Sequence, residues 1–341
     1  MGEADYQRLL GVTKANASDD AFYSVPWQPG IAYGLSIAMQ RDLPLLILSA
    51  SGNPLRRTSS FGVKARNGSW ADMEVQFLLK NFVTVAESSK PSDERSGAET
   101  SWLTDAGVLG QGKEGLFAVT PSGTLLGFSS DVSDASKLVQ MLKGAVTKND
   151  HLDTQSRIGS TTPIPTGFQL PRDALALRVL GREASMPTIY QQDFLWLSKA
   201  EWSSMIPALT EPGQTTVVNK DVADKIAQYA LYDQFSDKLL PFEAADVKRA
   251  ELTSKIDEVK GPQTSFTLVG STTCESTGGR SMRSSIYGHG VYNTTTKKIS
   301  WLSVVASAEG SGNRKINFHI TVWNTADHVA IPPQFWHQYR F

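Results

Sequence analysis

Leu43-Pro44-Leu45-Leu46-Ile47-Leu48 is apolar from end to end. A strand with one wet face alternates apolar and polar residues, so an unbroken run of this length reads as a strand covered on both faces. Upstream of it, Trp27, Ile31, Leu35, Ala38 and Met39 recur at helical spacing as far as Arg41. Downstream, Ser51 to Gly68 is rich in Gly, Asn, Pro, Arg and Ser and reads as a loop. Ser69 is the expected N-cap of a helix that puts Trp70, Met73, Phe77 and Leu78 on one face. Asn81 ends that helix, and Phe82-Val83-Thr84-Val85 is a second strand. The polar stretch Glu87 to Glu99 predicts a surface loop. Gly115 to Phe128, broken by Pro121-Ser122-Gly123, predicts a hairpin, and Asp134 to Val146 a closing helix. The order helix, strand, helix, strand, hairpin, helix predicts an α/β domain over residues 20–148.

These residues resemble a thioredoxin-like domain. The resemblance runs through Trp27 and its helix, Leu43 to Ser49, Asn81-Phe82-Val83-Thr84-Val85, and Phe117-Ala118-Val119-Thr120-Pro121-Ser122-Gly123 before a final helix. It covers roughly residues 25–146 and rests on fold markers, not catalytic ones. The family's CxxC would fall where this chain has Ser51-Gly52-Asn53-Pro54-Leu55-Arg56-Arg57, without sulfur. The family's cis-proline position corresponds to about Lys113-Glu114-Gly115. Thiol–disulfide exchange needs an attacking thiolate, so the resemblance implies a redox-inactive member of the fold.

Residues 149–172 are dense in Pro, Gly, Ser and Thr and predict a linker. The remainder, 173–341, reads as a β-rich α+β domain. Leu175 to Leu180 is a strand, and Val222, Ile226, Tyr229 and Ala230 mark a helix within residues 219–236. Breaks near Gly261, Gly278, Asn293 and Gly310 then separate Glu251–Val259, Ser265–Thr273, Arg280–Tyr292, Lys298–Ala308 and Lys315–Trp323. Short turns between such segments predict an antiparallel sheet, open or partly closed. Closure around a small apolar ligand is one further expectation. This half resembles uncharacterised domains appended to thioredoxin-like modules in some bacterial proteins.

The chain has 341 residues, with Lys+Arg 33 against Asp+Glu 34 and a formal net charge of -1. That balance supplies no basic field for nucleic acid or an anionic membrane surface. No apolar run reaches membrane-spanning length. The start, MGEADYQRLLG, lacks the basic and apolar regions of a signal peptide. The compartment stays open, and export with a leader already removed is compatible with the text. A single cysteine, Cys274, excludes an intrachain disulfide, a CxxC pair and a cysteine-rich zinc site. No cofactor and no metal are expected.

Five histidines, His151, His289, His319, His328 and His337, show no metal-ligand spacing. On strand alternation His319 shares the polar face with Asn317 and Thr321, and His289 shares a face with Tyr287 and Val291. Were their strands neighbours, Tyr287, His289, His319 and Glu309 would line one pocket, with Cys274 as a candidate nucleophile. Ordinary surface histidines and a buried, inert cysteine are the plainer alternatives. Arg56 and Arg57 are candidates for holding a carboxylate or phosphate. Gly278-Gly279 and Gly288-His289-Gly290 are expected to be turn or bulge glycines. The aromatic terminus Phe335 to Phe341 is either packed or partner-facing. The leading expectation is a redox-inactive thioredoxin-like protein that binds a small ligand or protein partner, as a scaffold. The alternative is an enzyme with a polar active site in the β-rich half, built from His289, His319, Glu309 or Cys274.

Overall fold

The computed structural model describes residues 1–14, 17–28, 30–50, 60–66, 68–88, 97–109, 114–158, 170–171, 173–185, 190–207, 211–233, 235 and 241–323. Arg56, Arg57, His328, His337 and the aromatic terminus lie outside them. The chain forms two compact units. One joins Met1–Lys14 to the chain from Gln169 to Ile331; the other is built from Ala15–Phe168. The first helix, α1 (Glu3–Thr13), therefore belongs with the carboxy-terminal half.

The α/β unit runs α2 (Ala17–Ser24), α3 (Ile31–Arg41), β1 (Leu45–Ala50), α4 (Ser60–Arg66), α5 (Met73–Leu79), β2 (Val83–Ser88), α6 (Gly97–Asp105), β3 (Gly115–Val119), β4 (Leu125–Ser129), α7 (Ala135–Asp150) and α8 (Thr154–Ile158). Its mixed sheet has the order β2-β1-β3-β4. β1 pairs parallel with β2 and antiparallel with β3, and β3 pairs antiparallel with β4. Every residue of β1 is buried, which accounts for its unbroken apolar sequence. Phe22, Trp27 and Trp70 are fully buried and form an aromatic triangle with ring centroids 5.5–5.6 Å apart.

Three local expectations are corrected here. Asp72, not Ser69, caps α5: its carboxylate accepts from the amides of Glu74 and Val75, while Ser69 opens a short 3-10 turn. Trp70 lies in that separate turn, and α5 buries Val75, Leu78 and Leu79 while leaving Met73 and Phe77 88% and 66% exposed. The stretch after Glu87 is not all loop, since α6 begins at Gly97.

The sheet unit adds β5 (Leu175–Glu183), β6 (Tyr190–Leu197), α9 (Lys199–Ser203), β7 (Thr215–Val217), α10 (Lys220–Tyr229), β8 (Val247–Lys260), β9 (Gln263–Glu275), β10 (Ser281–Asn293), β11 (Lys298–Gly310) and β12 (Arg314–Val322). These eight strands form one antiparallel sheet, ordered β6-β5-β12-β11-β10-β9-β8-β7. β6 and β7 end it without pairing to each other among the described residues, so the sheet is open, and an enclosing barrel is not what the strands form. Gly261 and Gly279 supply the positive φ of two hairpin turns. Gly288 and Gly290, in contrast, lie inside β10 and not at a turn. A Cβ on Gly290 would fall 2.2 Å from the Phe266 ring, and one on Gly288 would fall 2.6 Å from the Ser303 carbonyl.

Alternation along the strands gives the sheet two faces. One carries Leu252, Ile256, Phe266, Leu268, Ile286, Val304 and Phe318 in a core completed by Val222, Ile226 and Ala227 of α10. On the other, Tyr6 and Leu9 of α1 pack on Val305, with Leu10 and Tyr287 beside them.

Candidate functional site

The face under α1 holds most of the candidate residues, because strand register puts them there. Tyr287, Val305 and His319 form one cross-strand row over β10, β11 and β12; His289, Ser303 and Thr321 form the next. Two strand spacings of about 4.8 Å separate β10 from β12, so the two histidines share a face without meeting directly. α1 bridges them.

The first half of the bridge is buried. The Tyr6 hydroxyl donates to Ser303 Oγ at 2.9 Å, and Ser303 Oγ lies 2.9 Å from His319 Nε2. Ser303 Oγ thus links the Tyr6 hydroxyl to the His319 ring. The other ring nitrogen, Nδ1, is buried and has no hydrogen-bond partner among the described residues. Burial pushes the His319 pKa down from 6.5 to about 4, and the charges of Arg178 and Lys14 add to the effect.

The second half is at the surface. His289 Nε2 stands 2.8 Å from Glu3 Oε2, and His289 Nδ1 stands 3.2 Å from Thr267 Oγ1. Thr267 donates its single proton to Asp257 Oδ2 at 2.7 Å, so it can only accept from the imidazole. Glu3 and Thr267 thus hold the His289 ring at both of its nitrogens. Tyr6 and Tyr287 set their rings edge-on to His289, with centroids 4.9 and 5.4 Å away. Hydrogen bonds from Gln7 and then His289 lower the Glu3 pKa. Desolvation, followed by the charges of Glu3 and Asp257, raises that of Tyr287.

The structure thus brings Tyr287 and His289 together and joins His319 to them through Tyr6 and Ser303. It does not bring in Glu309, which is six residues along β11 from Ser303, or about 20 Å at the usual strand rise. Cys274 is on the opposite face, 1% exposed, with its thiol directed 3.9 Å from the Ala227 carbonyl. Burial, then the charges of Asp246 and Asp224, pushes that thiol up to about 12, so thiolate is scarce at neutral pH. Among the described residues no group of three or more His, Cys, Asp and Glu could hold a metal ion, and no helix is long and apolar enough to cross a membrane.

Chemically, the arrangement fastens more than it activates. The Ser303–His319 pair has a serine and a base at hydrogen-bond distance, but among the described residues its Nδ1 has no orienting carboxylate, and the Tyr6 hydroxyl donates to the serine. Sequence reasoning missed Glu3, Tyr6, Thr267, Asp257 and Ser303. A signal existed for Tyr6: Tyr6, Leu9, Leu10 and Thr13 follow the i, i+3, i+4, i+7 spacing of an amphipathic helix. In comparisons with known proteins, no family model matches the chain, and no curated protein or solved structure matches it.

Proposed function

We propose that this is a redox-inactive thioredoxin-like protein that works by binding a ligand or partner. The α/β unit supports the thioredoxin-like reading: β1, a helical crossover and parallel β2 are followed by the β3–β4 hairpin and α7, the element order the sequence resemblance implies. The observation that carries the redox-inactive part is the state of the sole sulfhydryl. Cys274 belongs to the other unit, is buried, and has its pKa pushed up to about 12. The binding part is favoured over catalysis because His289 spends its hydrogen bonds on Glu3 of α1 and Thr267, and His319 is held by Ser303 under Tyr6.

The test is a disulfide-exchange assay on the intact chain near neutral pH, run beside Cys274→Ser. Both proteins are expected to match the protein-free blank. Turnover by the unmodified chain that vanishes in Cys274→Ser would overturn the reading. The enzyme alternative keeps one favourable feature, the surface pair of His289 and Glu3 next to Tyr287; the Thr267 hydroxyl beside it gives its proton to Asp257, not to the imidazole.

A further inference from the structure

Beyond the histidines, the same face opens into a cleft of about 630 Å³ between Asp5 and Arg8 of α1 and strands β8 to β12. Its floor is ordered by strand register. One row reads Arg249, Thr273, Arg283, Glu309, Lys315 across five adjacent strands. The row beside it carries Ser271, Ser285 and Ser307. With neighbouring strands about 4.8 Å apart, the cations Arg249, Arg283 and Lys315 recur at about 10 Å, with Thr273 and Glu309 in the gaps.

Each part of this floor is available to a ligand. No hydrogen bond of the Ser271, Ser285, Ser307 or Thr273 side chains occurs among the described residues, and Lys315 has no carboxylate partner there. Arg249 and Arg283 pair with Glu251 and Glu275 at 2.6 and 3.3 Å, but all four side chains are 46–73% exposed. Such solvated pairs are weak and yield readily to an incoming anion.

The alternation selects the anion. A chain charged at every unit would set one of its anions over Glu309. A chain charged at every second unit sets its anions on Arg249, Arg283 and Lys315, and lays neutral units over Thr273 and Glu309, both of which accept from hydroxyl groups. Bound single-stranded nucleic acid calls for aromatic side chains under its bases, and none lines this cleft. We propose that the cleft binds an acidic polysaccharide in which charged and uncharged sugars alternate. This deepens the binding reading above and rests on it.

The experiment is calorimetric titration of the full chain, at low salt, with a hyaluronan oligosaccharide. Oligogalacturonate of equal length, charged on every sugar, and oligo-dT serve as comparisons. Hyaluronan is expected to bind more tightly than either. Its affinity should fall about tenfold or more in Arg283→Ala/Lys315→Ala, as charge-assisted contacts are removed. Lys297→Ala, in the β10–β11 turn, should leave it unchanged. Ser285→Asp, which keeps every cation and adds a carboxylate to the serine row, should weaken it as well.

Absence of hyaluronan binding overturns the inference but not the binding reading, and so does equal binding of the uniformly charged chains or indifference to the double substitution. Shortening of the oligosaccharide by the protein would overturn the binding reading itself.

Discussion

His319 gives the sharpest test of the buried half of the bridge. In the unfolded chain an imidazole takes up its proton as the pH falls through about 6.5. In the folded protein His319 is 8% exposed, and burial followed by the charges of Arg178 and Lys14 keeps it from protonation until about pH 4. Between those values the unfolded state binds more protons, so stability falls as the pH falls. The contribution is complete above pH 6.5 and is lost as the pH drops to about 4. The gap between 6.5 and about 4, at about 1.4 kcal/mol for each pH step, amounts to about 3 kcal/mol. His319→Gln removes the titration and keeps a group able to accept from or donate to Ser303. Urea titrations from about pH 7.5 to about pH 4.5 would compare the two proteins. Because the chain has two units, amide exchange in β10 to β12 is the readout, since it reports on the sheet alone. Carboxylates common to both proteins cancel in the difference. The unmodified chain should lose about 2–3 kcal/mol more than the variant. Parallel pH profiles would refute the reasoning, whatever the absolute stabilities.

Three other outcomes are expected. Cys274 should resist alkylation in the native protein at mildly alkaline pH and react once urea unfolds the sheet; prompt native labelling, read by mass spectrometry, would contradict a thiol pushed up to about 12. Gly290→Ala should cost about 1–3 kcal/mol by overpacking the Phe266 ring. Combining it with Phe266→Leu should cost less than the sum of the two single changes, and strict additivity in a double-mutant cycle would show that the two sites do not touch. Tyr6→Phe should destabilise the sheet unit by about 1 kcal/mol through loss of the Ser303 hydrogen bond, measurable as faster amide exchange in β11.

What the sequence revealed depended on how local the signal was. β1 was legible as a strand from its short unbroken apolar run, although it spans Leu45–Ala50 and not Leu43 to Leu48, and β8 to β12 were legible because turn residues separate segments of regular length. The face assignment of His289 and His319 followed from period-two alternation alone. The α5 boundary was misjudged because Ser69 and Asp72 are both good caps, and only packing selects between them. The turn reading of Gly288 and Gly290 failed because their absent side chains answer to Phe266 and Ser303, residues distant in sequence. The site had the same weakness. Glu3 and Tyr6 reach His289 and Ser303 across separations of 286 and 297 residues, and no window along the chain contains both ends.

That separation has a consequence for how the protein is made. α1 leaves the ribosome long before the strands it packs on. At about 5–20 residues per second, the 297 residues between Tyr6 and Ser303 take roughly 15–60 s to synthesise. Eleven residues are fewer than the ~12–15 an isolated helix needs to hold itself in water. During that interval the segment has no partner strand to form against, and the α/β unit can fold entirely within the gap. Completion of the sheet unit thus waits until β11 has been made, and a nascent chain stalled before β11 would be expected to carry a folded α/β unit beside an α1 segment still open to protease.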